Sequence, residues 1–522
     1  MLPSTPTETA TLLHSHYSAE PLSTPATFQR DAIDSLPDHI VAVSLSVDRE
    51  AGDMYVTRLA CGVVPVVMRL PLKRQALREG EEDGLGLDEA LEELRDVVER
   101  GAGMARGGDA CKTREERVQW WKERKELDER LRALLGKVET VWLGGFKGLL
   151  ITDDYNEEIL AVSLAKFKET IERLIFKAVA KKTRSTSPRA VELLPLDTEV
   201  CRVFLRLGAK PTDDREVEDA LYYLMDAYQY SGVGVDYDEI DIDSMTFAFK
   251  DALEAFHSDR SKLLELRPPS PALPTTPMHI VLIPDKHLQA LPWESIPILR
   301  GRPVSRLPSL CFLRDRLLLA GGRERTVDPA NVGYVLNPGQ DLGNTEKEFE
   351  DVVARQGWTG ITARAPSESE FSDALTNKDI FLYFGHGGGE QFIRGHRVRQ
   401  LERCAVTLLM GCSSGTLRPS GEFDPYGTAL NYIMAGCPAL VANLWDVTDR
   451  DIDRFSHRLF RLWGLCPPED GESCAPQTGC DDGAGPSLVQ AVAEAREACT
   501  LKFLIGAAPV VYGVPVYLAK GP

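Results

Sequence analysis

The chain has 522 residues, 43% of them hydrophobic, which is enough for packed cores and for roughly three domains of about 150 residues each. Its 79 acidic residues outweigh 60 basic ones, giving a net charge of −19, which argues against a non-specific nucleic-acid binder. Eleven cysteines form no CxxC pair, and several lie in apolar runs. The cysteine pattern therefore predicts free thiols in a reducing compartment rather than a disulfide scaffold.

The two ends of the chain carry no membrane signal. Residues 1–30 are rich in Ser, Thr and Pro and are predicted to be a disordered lead-in without the basic start and apolar core of a secretory signal. Residues 503–519 contain no charge, but Pro509 and Pro515 would break a helix there. We therefore expect a soluble chain, with a buried edge strand containing bulges in this segment.

The first half of the chain is predicted to form an α+β domain over residues 31–270. Residues 38–72 alternate between apolar and polar and predict a meander of two or three strands. Three amphipathic stretches then predict helices that form a bundle inserted at about 85–185. The predicted helices span 85–100, 113–141 and 157–182, with a glycine-rich break at 101–108.

The second half is predicted to be an α/β domain over residues 278–522. A linker at 267–277 has five prolines in eleven residues. After it, short apolar strands alternate with amphipathic helices, which indicates a mostly parallel sheet flanked by helices. Residues 466–486 are polar and rich in Gly and Pro, and are predicted to be a flexible loop.

Two apolar runs in this domain end in residues that can do chemistry. FLYFGHGGG places His386 after one predicted strand, and CAVTLLMGCSSG places Cys412 after another, 26 positions later. That spacing suits one crossover connection, and parallel strands end at the same edge of a sheet. The imidazole and the thiol are therefore expected side by side, with the thiol as a nucleophile that needs a nearby base. The N–H groups of Gly387 and Cys412 are candidates for stabilising a tetrahedral oxyanion.

An acidic stretch follows the apolar run at 439–443. The segment LWDVTDRDID carries Asp446, Asp449, Asp451 and Asp453. Carboxylates are favoured in the first turn of a helix, so part of this stretch is explained by capping. Four acids exceed what one cap needs, and an acidic pocket can hold a guanidinium in bidentate fashion. The sequence leaves open which of the four points into such a pocket.

Two other functions fit parts of the same pattern. Residues 411–415 also satisfy G-x-S-x-G, and the HGGG run resembles an esterase oxyanion loop, so Ser413 could be the nucleophile of an α/β-hydrolase. That enzyme needs a late histidine, and His457 lies inside an amphipathic helical pattern. The other alternative is an inactive regulatory module that binds partners.

Several stretches resemble the separase family within the caspase-like cysteine peptidase clan. They are YFGHGGGEQFI, LLMGCSSG, YIMAGCPALVANLWDVTDRDID and LIGAAPVVYGVPVYL, with weaker agreement in YVLNPGQDLGNTEKEFE. The resemblance implies a caspase-like fold preceded by a pseudo-caspase-like substrate domain. It implies that His386 and Cys412 are catalytic and that Asp453 and Asp451, then Asp446, are the first candidates to receive a substrate arginine.

The resemblance also carries expectations about biology. It implies cleavage after arginine at Glu-x-x-Arg sites of the cohesin kleisin subunit, releasing sister chromatids at anaphase, and inhibition by securin acting as a pseudosubstrate. No metal or organic cofactor and no direct nucleic-acid or membrane contact is expected. The expected location is the cytoplasm and nucleus, with chromosome and spindle association in mitosis. Separases are far longer than this chain, which resembles their carboxyl-terminal catalytic portion.

Overall fold

The computed structural model describes residues 11–15, 24–80, 84–107, 113–151, 157–183, 194–211, 213–266, 278–320, 325–467 and 485–519. Most of the predicted lead-in, the predicted linker at 267–277 and most of the predicted loop at 466–486 lie outside these residues.

The described strands, in chain order, are β1 Ile40–Asp48, β2 Asp53–Ala60, β3 Val66–Pro71, β4 His279–Pro284, β5 Val304–Arg306, β6 Arg325–Val327, β7 Val332–Leu336, β8 Thr359–Thr362, β9 Ile380–Phe384, β10 Val406–Leu409, β11 Arg418–Ser420, β12 Phe423–Tyr426, β13 Ala439–Asn443, β14 Pro509–Gly513 and β15 Val516–Leu518.

The described helices are α1 Pro25–Phe28, α2 Arg74–Glu79, α3 Leu87–Gly107, α4 Arg114–Lys137, α5 Glu157–Thr183, α6 Thr198–Leu205, α7 Asp214–Tyr230, α8 Ile242–Leu266, α9 Leu310–Ala320, α10 Gly343–Gln356, α11 Glu368–Asn377, α12 Gly395–Val398, α13 Thr428–Met434, α14 Asp449–Trp463 and α15 Leu488–Ala495. Within the described residues, none of the helices is both long and apolar enough to cross a bilayer.

Eleven of the described strands form one sheet, in the order β3-β2-β1-β4-β5-β14-β13-β10-β9-β7-β8. From β4 to β8 every pair is parallel except β13 and β14, so the predicted mostly parallel α/β class is confirmed. β1, β2 and β3 form the predicted antiparallel meander. Because β1 pairs in parallel with β4, one sheet runs through both predicted domains, whose boundaries stay a prediction.

The central strands are apolar because helices cover both faces of this part of the sheet. Every residue of β9, β10 and β13 is buried, as expected for parallel strands packed on both sides. Aromatic rings join two of the covering helices to the end of β9. The ring of Phe349 in α10 lies 4.3 Å from that of Phe384, tilted by 30°, and packs edge-on against Phe460 of α14. This cluster fixes α10 and α14 beside the carboxyl edge of the sheet, where the site is built.

The predicted glycine-rich break at 101–108 is wrong for most of its length. Helix α3 continues through Gly107, so Gly101 and Gly103 are helical. A Cβ built on Gly101 would lie 3.0 Å from Leu504 Cδ1, so the glycine allows this helix to pack closely against the segment before β14. Tertiary packing here outweighs the weak helix propensity of glycine.

The predicted three-helix bundle at 85–185 is also not one unit. Helices α3 and α4 pair with each other, whereas α5 packs mainly against α8. The periodicity of each stretch identified the helices correctly, but an apolar face does not specify which neighbour covers it.

The charge-free run at 503–519 is not an edge strand. Its middle part, β14, is central in the large sheet and lies between β13 and β5. Pro509 is the first residue of this strand, a position where a missing N–H is tolerated, and its carbonyl accepts from Arg496 Nη2 at 2.9 Å. The chain then leaves the large sheet, and β15 pairs with β6.

Candidate active site

The loop after β9 holds His386 in a fixed backbone position. Gly387 and Gly389 adopt φ angles of 62° and 83°, in the left-handed region that favours glycine. Tyr383 Oη donates to the carbonyl of His386 at 2.9 Å. The imidazole itself projects toward solvent, with 61% of the side chain exposed, so it is available to a substrate.

A carboxylate that the sequence analysis did not single out binds this imidazole. His386 Nε2 lies 2.7 Å from Asp341 Oδ2. Asp341 belongs to the loop after β7, and β7 pairs directly with β9. The rule that predicted His386 and Cys412, a polar residue beyond the carboxyl end of a neighbouring strand, also applies to Asp341 within YVLNPGQDLG and could have found it.

The loop after β10 holds Cys412 in a half-buried position. The thiol lies 3.3 Å from the carbonyl oxygen of Val447, to which it donates. Burial raises the pKa of the Cys412 thiol, and the carboxylates of Asp446 and Asp449 add to the effect. The thiol is therefore held as S–H in this state, and a base is needed to ionise it.

The two loops touch backbone to backbone. A Cβ built on Gly411 would lie 2.1 Å from the carbonyl oxygen of Gly387 and 2.4 Å from that of Gly385. The residues that flank His386 therefore pack against the residue that precedes Cys412. The structure brings His386 and Cys412 to one edge of the sheet. In this state the imidazole is hydrogen-bonded to Asp341, and the thiol is hydrogen-bonded to the carbonyl of Val447.

The predicted oxyanion donors lie at this contact. Within the described part of the chain, neither the N–H of Gly387 nor that of Cys412 donates to another residue. The N–H groups that follow them are both used, since Gly388 donates to Glu390 Oε2 at 2.8 Å and Ser413 donates to the carbonyl of Trp445. Among the described residues, two N–H groups at the contact between the loops are thus left without an acceptor, and an oxyanion site is built from such donors.

The carboxylates of the acidic stretch have different hydrogen-bond partners. Asp446 accepts from Ser413 Oγ at 2.6 Å, beside the thiol. Asp451 accepts from the N–H of Thr500 at 3.0 Å and from Arg454 at 2.9 Å, so it ties α14 to the segment before β14. These hydrogen bonds give both acids a structural role.

Asp453 is the acid of this stretch with a buried oxygen that lacks a hydrogen-bond donor among the described residues. It is 6% exposed, and its Oδ2 accepts from Thr345 Oγ1 at 2.9 Å. Its Oδ1 is buried and has no partner among the described residues. Burial raises the pKa of Asp453 to about 7, with the nearby carboxylates of Asp449 and Glu348 adding to the effect. A buried carboxylate oxygen without a donor is suited to receive a cationic group.

The esterase alternative needs a hydrogen bond between Ser413 and a histidine, and the structure does not show one among the described residues. Ser413 donates to a carboxylate, Asp446, and not to an imidazole. His457 stacks on the ring of Phe349 at 4.3 Å, in the packing between α14 and α10. Ser413 itself has a φ of 53°, which is strained for a residue other than glycine.

Among the described residues, no group of three or more His, Cys, Asp or Glu side chains is arranged to hold a metal ion.

Known proteins match most of this chain. The family described as "Separin, protease domain" matches residues 49–452. The separin of Emericella nidulans is 41% identical over 497 residues, covering 94% of this chain and 23% of that protein. The separin of Schizosaccharomyces pombe is 39% identical, covering 94% and 26%.

The chain belongs to the separin family.

A solved structure agrees with this assignment. In a Saccharomyces cerevisiae separase–securin complex, one chain is 26% identical and superposes with a TM-score of 0.79, covering 94% of this chain and 31% of that one. The predicted caspase-like arrangement of the sheet is thus confirmed as the fold of a separase. The chain spans about a quarter of the length of the two separins above.

Placing a methyl group at position 411 is expected to separate the two loops. In a Gly411→Ala variant the backbone must move by about 1 Å to relieve the contacts with Gly385 and Gly387, a shift that can cost about 100-fold in rate. Any peptidase activity should fall by at least that factor while the melting temperature changes by a few degrees.

Gly136→Ala is the matched control for this variant. Gly136 lies in α4, and a Cβ there would meet nothing within 4 Å. Full activity in Gly411→Ala would show that the contact between the two loops is not needed.

Proposed function

We propose that this chain is the catalytic portion of a separase, a cysteine endopeptidase that cleaves after arginine at Glu-x-x-Arg sites in the cohesin kleisin subunit and so releases sister chromatids at anaphase. Membership of the separin family supports the substrate class. The observation that carries the chemistry is the packing of the His386 loop on Gly411, directly before Cys412.

In this proposal Cys412 Sγ attacks the carbonyl carbon of the arginine, and its proton passes to the imidazole of His386. Since Nε2 is bonded to Asp341, Nδ1 is the nitrogen that receives the proton. The N–H groups of Gly387 and Cys412 stabilise the oxyanion. The imidazolium then protonates the leaving amine, and water hydrolyses the thioester with His386 as base.

Because the resting thiol keeps its proton, ionisation accompanies substrate binding. The hydrogen bond from Cys412 to Val447 must break before the sulfur can approach a carbonyl carbon. An uncharged thiol between carboxylates is also a weak nucleophile toward solvent oxidants and electrophiles. The arrangement therefore favours attack on a bound peptide over unwanted modification.

Asp453 is proposed to bind the side chain of the arginine before the scissile bond. Its buried Oδ1 without a donor supports this choice over Asp446 and Asp451, each of which already accepts a hydrogen bond at Oδ1. Thr345 holds the other oxygen and lies in the first turn of α10, which follows the Asp341 loop. One short segment, 341–345, thus contacts both the proposed base and the proposed arginine receptor.

A securin-type inhibitor is proposed to occupy the same cleft as a pseudosubstrate, because the related yeast separase was solved in complex with securin. The proposed site of action is the cytoplasm and nucleus, with chromosome and spindle association in mitosis.

An arginine acyloxymethyl ketone is expected to label the nucleophile. Intact-mass and peptide mass spectrometry should find one adduct on Cys412, and Cys412→Ala should remove both adduct and cleavage without lowering the melting temperature. Cys311→Ser, at an exposed free cysteine, should behave as the unaltered chain. A fluorophosphonate adduct on Ser413 would support the esterase, and no adduct on either residue would support the inactive module.

Asp341→Asn tests the proposed positioning of the base. We expect kcat to fall by about 10- to 100-fold because the imidazole loses the carboxylate that orients it, while KM for an arginine peptide stays constant. Asp341→Glu should recover part of kcat. The control is Asp351→Asn, on the exposed side of α10. Equal kcat in Asp341→Asn and Asp351→Asn would exclude this role.

The raised pKa of Asp453 predicts that arginine binding depends on pH near 7. Above its pKa the carboxylate is charged and attracts a guanidinium, so an arginine peptide should bind Cys412→Ala more tightly at pH 8 than at pH 6. At pH 7 binding should release protons, which calorimetry in buffers of different ionisation enthalpy measures. Asp453→Asn should lose both effects, whereas Asp446→Asn should keep them.

The same raised pKa predicts that the stability of the fold falls as the pH rises, whereas arginine binding is expected to strengthen. Since the folded-state pKa lies above the ordinary value of 3.8, the folded state holds its proton more firmly, and stability falls as the pH rises from about 4 to 7. Asp453→Asn should raise the free energy of unfolding more at pH 8 than at pH 5, by on the order of 3 kcal/mol. An equal change at both pH values would contradict the assignment.

A further inference from the structure

The two predicted oxyanion donors belong to peptide groups whose carbonyl oxygens are both hydrogen-bonded. The N–H of Gly387 shares a peptide group with the C=O of His386, and the N–H of Cys412 shares one with the C=O of Gly411. A peptide group is planar, and in its trans form the C=O and the N–H point in opposite directions. Because the described backbone contains no cis peptide bond, a side chain that holds one of these carbonyls also sets the direction of the N–H.

Asn443 holds the peptide group between Gly411 and Cys412. It is the last residue of β13, which pairs directly with β10, the strand before Cys412. Its Nδ2 donates to the carbonyl of Gly411 at 3.0 Å and to that of Met410 at 3.2 Å. The N–H of Cys412 is therefore directed away from Asn443, and it has no acceptor in another residue of the described chain.

The surroundings of Asn443 favour a role beyond packing. The residue is 1% exposed, and its Oδ1 is buried without a donor among the described residues, which destabilises the fold. Both contacts of Nδ2 are carbonyl oxygens, so an amide nitrogen is needed there and a carboxylate would be repelled. The loop after β10 also fixes the backbone of Asn443, whose N–H donates to Ser414 Oγ at 3.0 Å and whose carbonyl accepts from Gly415 at 2.8 Å.

Tyr383 holds the other peptide group, between His386 and Gly387. Its hydroxyl donates to the carbonyl of His386 at 2.9 Å, and Gln391 Nε2 donates to the same carbonyl at 3.3 Å. Burial raises the pKa of Tyr383, so the hydroxyl keeps its proton and stays a donor. A Cβ built on Gly385 would lie 2.6 Å from Tyr383 Oη, so the glycine leaves room for the hydroxyl to reach this carbonyl.

The two peptide groups meet at the contact between the loops. A Cβ built on Gly411 would lie 2.9 Å from the nitrogen of Gly387 and 2.1 Å from its carbonyl oxygen. Burial raises the pKa of the Cys412 thiol, and the backbone N–H of Cys412 is one of the groups that oppose this rise, so this N–H lies on the side of the sulfur. Both side chains that hold the peptide groups are buried, so they act through the backbone.

We propose, on the basis of the proposed function, that Asn443 and Tyr383 are positioning residues for peptide cleavage. Each holds the carbonyl of one peptide group and so directs its N–H at the oxygen of the tetrahedral intermediate that forms when Cys412 attacks. The donors are thus oriented before the substrate binds, which is the condition under which oxyanion stabilisation is strongest.

Tyr383→Phe removes one oxygen atom and keeps the buried ring. Loss of one oxyanion donor costs about 100- to 1000-fold in kcat, so a misdirected donor should cost about 10- to 100-fold, with an unchanged KM for an arginine peptide. Alkylation of Cys412 by iodoacetamide forms no oxyanion and should keep its rate, which peptide mass spectrometry measures.

Tyr512→Phe is the matched control. It removes a similarly buried hydroxyl, which donates to the carbonyl of Gly415 at 3.0 Å. The N–H of this peptide group, from Thr416, already donates to the carbonyl of Ser413 and is not available to an oxyanion. The kcat of Tyr512→Phe should therefore equal that of the unaltered chain.

Asn443→Ala should lower kcat over the same range, again with an unchanged KM. Nuclear magnetic resonance then follows the two N–H groups without any need for turnover. The pair His-Gly occurs once in the sequence, so ¹³C-carbonyl histidine with ¹⁵N glycine gives one signal, from Gly387, which should shift in Tyr383→Phe. With ¹⁵N cysteine the Cys412 signal is the one absent from Cys412→Ala, and it should shift in Asn443→Ala more than in Tyr512→Phe.

An unaltered chain that does not cleave the arginine peptide would contradict the proposed function, and the two signals would then decide the orientation of the peptide groups. The proposal is overturned if neither signal shifts in its variant, or if Tyr383→Phe and Asn443→Ala fold and keep the kcat of Tyr512→Phe. It is also overturned if alkylation of Cys412 in Tyr383→Phe slows by the same factor as cleavage, because the thiol itself would then be impaired.

Discussion

The site depends on one backbone contact, the approach of Gly411 to the carbonyl oxygens of Gly385 and Gly387. A side chain at 411 would fill the space in which these carbonyls lie, so glycine is required by volume and not by an unusual φ angle. The contact sets the distance between a loop that carries an imidazole and a loop that carries a thiol. Each loop is in turn fixed by a strand that is buried along its whole length, which limits the ways in which the contact could relax.

The sequence was most informative where one physical rule was enough. A buried strand followed by a polar residue and glycine identified the loops of His386 and Cys412, and the same rule applied to β7 would have added Asp341. Asp453 could not be separated from Asp451 and Asp446, because the distinction lies in what faces each carboxylate after folding. Thr345 and Thr500 decide it, and they lie 108 and 49 positions away from their acids. The helix pairings and the central position of β14 were not predicted correctly for the same reason, since both are decided by contacts between distant parts of the chain.

The proposed role of Asp453 gives up stability in favour of binding. An ordinary core would surround a buried carboxylate with donors or replace it. Here one oxygen has a donor in Thr345 and the other has none among the described residues, so the charged form is disfavoured until a cation arrives. In the proposed function, the free energy that the unliganded site lacks would be recovered when a guanidinium binds, and it would add to the discrimination between arginine and neutral side chains. Burial thus makes the proposed pocket selective, at a cost to the unliganded fold.

The continuity of the sheet connects these features. Because β1 pairs with β4 and β5 with β14, the antiparallel meander and the parallel core share one set of backbone hydrogen bonds. The meander therefore holds a fixed orientation relative to the proposed active site, because the backbone hydrogen bonds of the sheet connect the two directly.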